Sequence, residues 1–169
     1  MEDSINKIKS YLSFKLGVET FASNVSKVLN ILEMQEITKV PKAPNYVLGV
    51  INLRGKVLPV IDTHLKFGME PIQITPSTCI LVMDVIVENK SVMVGALVDA
   101  VEEVLEIDDK NIQESPTIGS KYRTEFILGM IESGENFIML LDMDMVFSLV
   151  DIEELSKNML VPEKTETAK

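Results

Sequence analysis

The chain has 169 residues, of which 46% are hydrophobic and 25% charged, and it carries a formal net charge of −10 with a pI of about 4.6. This balance is typical of a packed soluble protein. The acidity disfavours nucleic acid and anionic membrane surfaces as partners, since both are bound mainly through clustered Lys and Arg. The one cysteine, Cys79, excludes an internal disulfide and a cysteine-only metal site, and we expect it to be a small buried hydrophobe.

No apolar run approaches the roughly 20 residues that a helix needs to cross a bilayer. The N-terminus is acidic at Glu2 and Asp3 and is not followed by the apolar segment of a signal peptide. We therefore expect a cytoplasmic protein with no direct membrane insertion.

The first part of the chain predicts short strands. Tyr11–Leu16 alternates apolar and polar residues, which indicates a half-buried strand, and a return strand starts at Thr20. Val25, Val28 and Ile31 then recur every three residues. That spacing permits a helical turn followed by a strand.

A β-hairpin follows. Two β-rich runs, Tyr46–Ile51 and Val57–Ile61, are separated by five residues that include Arg54 and Gly55. The glycine suits a turn because a positive φ costs it little. Pro59 cannot donate to a ladder, which predicts that the second run is an edge strand or carries a bulge.

The same hairpin occurs twice. Tyr46–Asp62 aligns without gaps on Phe126–Asp142, and Gly49 falls on Gly129. The residues at the two tips differ, which suggests one scaffold with two functions. Two apolar hairpins can also resemble each other by chance. A second match, with a slightly shorter offset, joins Val25, Val28 and Ile31 to Val98, Val101 and Val104.

Each copy therefore holds about five short strands, and small antiparallel sheets usually remove their edges by closing into a barrel. We predict a mainly β, single domain over 1–169, built of two packed barrels with short helices. Subdomain 1 is expected at about 11–70 and subdomain 2 at about 76–147. An apolar stripe that includes Met145, Val146 and Leu149 predicts a C-terminal helix over 148–160, and 161–169 is expected to be a disordered tail.

Catalytic chemistry has little support. His64 is the only histidine, and Asp62 two residues earlier could orient its ring. A surface position after the strand is the simpler interpretation, and the alternative is a small ligand-binding barrel or enzyme that uses His64. The acidic clusters lack the alternating pattern and central glycine of a calcium loop. We predict no catalytic residues, no metal and no cofactor.

Two surfaces remain open to interpretation. Short apolar residues such as Val28 and Val101 can close a barrel core, or they can leave a groove between barrels that accepts an amphipathic helix. Arg54, next to Asn52, can bind carboxylates or carbonyl groups of a partner in a bidentate way. The simpler alternative for Arg54 is an exposed side chain that only aids solubility.

The hairpin region resembles a known family. The run G-V-I-N-L-R-G-K-V-L-P-V-I-D (Gly49–Asp62), preceded by V-P-K-A-P (Val40–Pro44) and followed by K-F-G (Lys66–Gly68), is similar to the CheW family of bacterial chemotaxis coupling proteins. The resemblance extends over roughly 11–147. It implies two intertwined five-stranded SH3-like barrels and a scaffold without catalysis.

The resemblance also implies partners. CheW-like proteins bridge the regulatory domain of the histidine kinase CheA to the cytoplasmic tip of chemoreceptors, in arrays at the membrane. The receptor tip lies in an apolar groove between the barrels, and the kinase engages barrel ends. By position, the receptor-binding residues here would be Leu12, Val25, Val28, Ile31 and Val101, with Asn52 and Arg54 nearby. A coupling protein of a non-chemotaxis array is the alternative within the same class.

The chain departs from the family's pattern at two places. Many relatives carry Glu where this chain has Asn30, and Thr63-His64 stands where Leu-Arg is common.

Overall fold

The structure is a computed structural model that describes residues 8–114 and 126–147. This part of the chain is mainly β, as predicted. Its strands are β1 (Ile8–Leu16), β2 (Glu19–Asn24), β3 (Val28–Glu33), β4 (Val47–Leu53), β5 (Lys56–Asp62), β6 (Cys79–Val87), β7 (Lys90–Val98), β8 (Ala100–Asp108), β9 (Ile127–Ser133) and β10 (Asn136–Leu141). The short helices are α1 (Thr63–Lys66) and α2 (Met143–Phe147), and 3-10 turns cover Val25–Lys27 and Asp109–Asn111.

The strands form two five-stranded sheets that exchange strands between the two halves of the chain. Sheet A has the order β8-β1-β2-β10-β9, and sheet B has the order β3-β6-β7-β5-β4. The halves predicted as subdomains, 11–70 and 76–147, hold five strands each, but neither half forms a sheet by itself. The two intertwined SH3-like barrels implied by the family resemblance are thus confirmed.

The register of the sheets shows the internal repeat directly. The β4–β5 hairpin places Gly49 opposite Val60, and the β9–β10 hairpin places Gly129 opposite Leu140. The partner ladders are parallel in both sheets, β5 with β7 and β10 with β2. The molecule therefore has approximate two-fold symmetry, with each strand of the first half equivalent to a strand of the second.

Two glycines repeat because another segment of backbone crosses them. Thr38 forms an isolated bridge with Val50, and Gln113 forms the equivalent bridge with Met130. A Cβ on Gly49 would clash with the carbonyl oxygen of Thr38, and one on Gly129 would lie 2.7 Å from the carbonyl oxygen of Gln113. Only glycine leaves room for these crossings.

The buried side chains form three clusters. One lies inside the sheet B barrel and includes Leu58, Val60 and Ile80, while another lies inside the sheet A barrel and includes Ile138 and Leu140. The largest draws residues from both sheets, and we call it the seam. Its members include Leu12, Phe14 and Leu16 of β1 and Leu81, Met83, Val85 and Val87 of β6. The seam fixes the two barrels against each other.

The prediction that β5 is an edge strand, or bulged at Pro59, is wrong. β5 lies between β4 and β7, and the bulge of its β4 ladder falls between Val47 and Gly49. Pro59 is tolerated because the backbone of its partner Val50 bonds to Thr38 on the other side, so this pair needs no N–H from Pro59. The β7 ladder begins only at the next residue, Val60.

The short helix α2 (Met143–Phe147) packs on β6. The predicted C-terminal helix over 148–160 and the predicted tail 161–169 lie outside the described residues.

We expect Gly129→Ala to lower the free energy of unfolding by about 1–3 kcal/mol, because the added methyl group meets backbone that cannot move away. Urea unfolding measures the change. Glu132→Ala, an exposed change on the same strand, is the control. A Gly129→Ala protein as stable as the control would show that the crossing is not tight.

Candidate partner-binding surface

The tip of the β4–β5 hairpin is a two-residue turn made by Arg54 and Gly55. Both residues have left-handed backbone, with φ of +53° and +84°. This pair of positive φ angles is the pattern of a type I′ hairpin turn, which follows the twist of the strands. The Oδ1 atom of Asn52 accepts a 2.7 Å hydrogen bond from the Gly55 N–H, so Asn52 helps to hold the turn.

Arg54 is exposed, and within 8–114 and 126–147 it takes part in no ion pair. A left-handed conformation costs a side-chain-bearing residue roughly 1 kcal/mol or more. The turn therefore keeps an arginine at a position where Asn or Gly would be favoured. Residues held in costly conformations cluster at functional sites, which supports a binding role for this guanidinium.

The second hairpin carries different chemistry at its tip. Gly134 has the positive φ, at +64°, and Glu135 follows it in the turn. The glycine has moved from the second to the first turn position, and an acid is exposed instead of a base. The two equivalent hairpins thus present opposite charges to solvent.

The predicted groove residues lie at the seam, with one exception. Leu12 is 6% exposed and belongs to the seam, and Val25, Val28 and Val101 are partly buried and pack against it. Ile31, on β3, is 46% exposed and stands outside the cluster. The structure therefore brings four of the five residues into one apolar neighbourhood.

Two more exposed apolar residues lie on strands β3 and β8, and neither was predicted as a site residue from the sequence. Leu29 is 53% exposed on β3, and Val104 is 58% exposed on β8, directly opposite Leu12 in the β8–β1 ladder. The internal match of Ile31 to Val104 was the signal that could have placed Val104 in the site.

His64 is not a surface residue, and Asp62 does not orient it, so both expectations are wrong. His64 is 8% exposed, and its Nε2 lies 2.6 Å from Oδ2 of Asp99. The carboxylate of Asp62 instead accepts the backbone N–H groups of Leu65 at 3.2 Å and Ile72 at 3.1 Å. Asp62 thus caps α1 and fixes the loop that follows.

His64 lies beside a cavity. This shallow cavity of about 410 Å³ is lined by His64, Met69, Glu70, Pro71, Gln73 and Asp99. No serine, threonine, cysteine or lysine is among these lining residues. Outside this cavity, Cys79 is partly buried. This loss of contact with water raises the pKa of its thiol, which therefore stays protonated at neutral pH. Among the described residues, no group of three His, Cys, Asp or Glu side chains is placed to hold a metal ion.

The family model described as a CheW-like domain matches residues 10–151, most of the chain. The chain belongs to the CheW family. A chemotaxis protein CheW of Rhizobium meliloti (strain 1021) is 38% identical over 139 residues, which are 82% of this chain and 87% of that protein. A probable chemotaxis protein CheW of Rhizobium etli is 35% identical over 145 residues, 86% of this chain and 91% of the relative.

A crystal structure of the scaffolding protein TtCheW from Thermoanaerobacter tengcongensis has the same CheW fold. It superposes with a TM-score of 0.73 at 28% identity, covering 85% of this chain and 90% of the other. Family and fold together make this chain a chemotaxis coupling adaptor.

Over the described residues, none of the helices is both long and apolar enough to cross a bilayer.

We expect Arg54→Asn to raise the free energy of unfolding by about 0.5–1 kcal/mol, because Asn-Gly is the preferred pair in a type I′ turn. Thermal or urea unfolding tests this. Lys56→Asn, just outside the turn, should bring no such gain, and an Arg54→Asn protein less stable than the parent would contradict the assigned turn.

Proposed function

We propose that this CheW-family adaptor couples the histidine kinase CheA to the cytoplasmic tips of chemoreceptors, without catalysing a reaction itself. It would act in the cytoplasm, within receptor arrays at the membrane. The observation that carries the proposal is the exposed apolar surface at the seam, together with an exposed guanidinium on a rigid turn.

The receptor side of the proposal rests on apolar contact. Val25, Val28 and Val101 lie partly buried against the seam, and Ile31 on β3 is largely exposed. Apolar surface that remains open between two barrels suits the apolar face of a helix, such as that of a receptor hairpin tip. Binding there would remove this apolar surface from water, which contributes about 25 cal/mol of binding free energy for each Å² buried.

Arg54 would add directional hydrogen bonds to this apolar contact. Its guanidinium can donate two parallel hydrogen bonds to a carboxylate or to carbonyl oxygens at the end of a helix. Because Asn52 accepts the Gly55 N–H, the backbone of the turn is ordered before binding, and a partner has to order only the side chain of Arg54.

The kinase is proposed to use the barrel ends. The two hairpin tips lie in different sheets and expose different charges, Arg54 in one and Glu135 in the other. Surfaces of different chemistry on two equivalent barrels allow two different partners to be bound at once. The alternative of a small ligand-binding barrel or enzyme that uses His64 loses support, because the ring is already engaged by Asp99 and Glu70.

We expect Arg54→Ala to weaken binding to a receptor cytoplasmic fragment about tenfold or more, the value of a charge-assisted hydrogen bond, while stability changes little. Isothermal titration or a pull-down with the receptor fragment measures this. Glu135→Ala, at the equivalent tip, is the matched control and should leave receptor binding unchanged. Unaltered binding by the Arg54→Ala protein would remove Arg54 from the site.

Ile31→Asp tests the groove without disturbing the core, since Ile31 is 46% exposed. We expect loss of receptor binding by about tenfold or more with retained folding, because a carboxylate would be buried against the receptor helix. Ile74→Asp is the control, a similar change at a site 56% exposed in the connection between the halves. Equal receptor binding by both variants would place the receptor elsewhere.

A further inference from the structure

We propose that Lys27 and Asp144 are positioning residues for the receptor-binding surface. Their ion pair holds the 3-10 turn Val25–Lys27, which we call the crossing turn, in the conformation that presents Val25 and Val28. The inference rests on the proposed function, since it concerns the surface that the receptor tip would contact.

The crossing turn carries the chain from sheet A to sheet B, between the end of one ladder and the start of the next. The β1–β2 ladder ends at Asn24, and the β3–β6 ladder begins at Val28. The side chain of Asn24 accepts a 2.9 Å hydrogen bond from the Ser26 N–H, and the Val28 N–H donates to the carbonyl oxygen of Val25. Both bonds lie within the segment itself. They shape the turn, but they do not fix its place on the molecule.

Lys27 connects the crossing turn to the other half of the chain. Its Nζ lies 2.8 Å from Oδ2 of Asp144, and the two side chains are only 26% and 30% exposed. A partly buried pair is screened less by solvent and salt than an exposed one. Val25 and Val28 also pack against the seam, but apolar packing is non-directional. A short, charge-assisted hydrogen bond, in contrast, defines a position.

Asp144 is itself held in place. It lies in α2, whose Met143, Val146 and Phe147 are buried in the seam. Its second carboxylate oxygen, Oδ1, accepts a 2.8 Å hydrogen bond from the Ile86 N–H of β6. The ion pair therefore ties the crossing turn to a fixed point of the core.

The second crossover shows the same arrangement with the charges exchanged. Asp99, the single residue between β7 and β8, accepts a 2.7 Å hydrogen bond from the Gly17 N–H and lies 2.6 Å from Nε2 of His64. His64 in α1 and Asp144 in α2 are equivalent in the alignment that places Asp62 on Asp142. At both crossovers, a polar side chain of the short helix contacts the crossing segment. The fold thus repeats the contact while the residues that make it differ.

The consequence for binding is a matter of order. A turn that is fixed before binding presents Val25 and Val28 without an ordering cost to the partner. If the ion pair were removed, the receptor would have to order the crossing turn as it binds. Receptor affinity would then fall although the apolar contact residues are unchanged.

The test on binding is a double-mutant cycle with the full chain and a receptor cytoplasmic fragment, measured by isothermal titration. Lys27→Met removes the charge but keeps the stem, and Asp144→Asn removes the charge but keeps an acceptor for the Ile86 N–H. We expect each variant to bind the receptor about fivefold more weakly, the upper value for such an ion pair. The double variant should bind no more weakly than either single variant. Additive losses would overturn the proposal, because the two residues would then act independently.

A second measurement reports on the crossing turn without the receptor. Hydrogen exchange of the Val28 amide, which closes the turn, is followed by NMR, and urea unfolding gives the change in global stability. We expect Lys27→Met and Asp144→Asn to lower the protection of Val28 about fivefold beyond any global change. Lys27→Arg keeps the cation and should retain the protection and the receptor affinity of the parent. Unchanged protection in Lys27→Met and Asp144→Asn would overturn the proposal.

Lys9→Met is the matched control, since Lys9 belongs to a longer and more exposed ion pair, 4.0 Å from Asp109. It should change neither the protection of Val28 nor receptor binding, and losses equal to those of Lys27→Met would contradict the proposal. The two levels of the account fail in different ways. A parent protein that does not bind the receptor fragment contradicts the proposed function, whereas parent-like protection of Val28 in the variants contradicts this inference alone.

Discussion

The exchange of strands between the two halves of the chain is the constraint on which the rest of the structure depends. Each sheet combines strands from both halves: sheet B is built from the continuous run β3 to β7, whereas sheet A needs β1 and β2 together with β8, β9 and β10. Sheet A is therefore complete only after the chain has crossed into sheet B and back. The crossovers lie at Val25–Lys27 and at Asp99, and both are held by carboxylate contacts. The apolar surface at the seam is a direct consequence, because β1 and β6 meet there with β3 and β8 beside them.

This architecture would allow one scaffold to bind the two proposed partners. Equivalent strands hold equivalent core residues, such as Val60 and Leu140, so the interior stays nearly symmetric. The surface is free to differ, and it does so at the tips with Arg54 and Glu135. On the seam strands, Leu29 of β3 is matched by Glu102 of β8 in the alignment that pairs Ile31 with Val104. The fold is therefore duplicated while the chemistry of its faces is not, which an adaptor between unlike proteins requires.

Sequence reasoning identified the internal repeat, because the matches of Gly49 to Gly129 and of Asp62 to Asp142 need only the order of the residues. The tasks of Gly49, which leaves room for the backbone of Thr38, and of Asp62, which caps a short helix, became visible only in the structure. Sequence reasoning could not give the pairing of strands across the halves, since apolar alternation is the same for any partner strand. Pro59 was misjudged for that reason, as its tolerance depends on the bond between Val50 and Thr38.

The candidate site, like the fold, could be predicted from the sequence only in part. The repeat of valines was visible in the sequence, but whether they close a core or line a surface depends on burial, which separates Leu12 from Ile31. The partner of His64 is Asp99, which is distant in the sequence and is reached only through the strand exchange. The left-handed backbone of Arg54 could not be predicted from the sequence either, because the adjacent glycine suggested that only one residue of the turn has a positive φ.

The most direct test of the central claim is a reconstituted kinase assay. Purified CheA and a receptor cytoplasmic fragment from the same cell are combined with and without this protein, and autophosphorylation is followed. We expect the protein to bind both, and the receptor to change kinase activity only when the protein is present. A folded protein that binds neither partner and leaves kinase activity unchanged would contradict the coupling role.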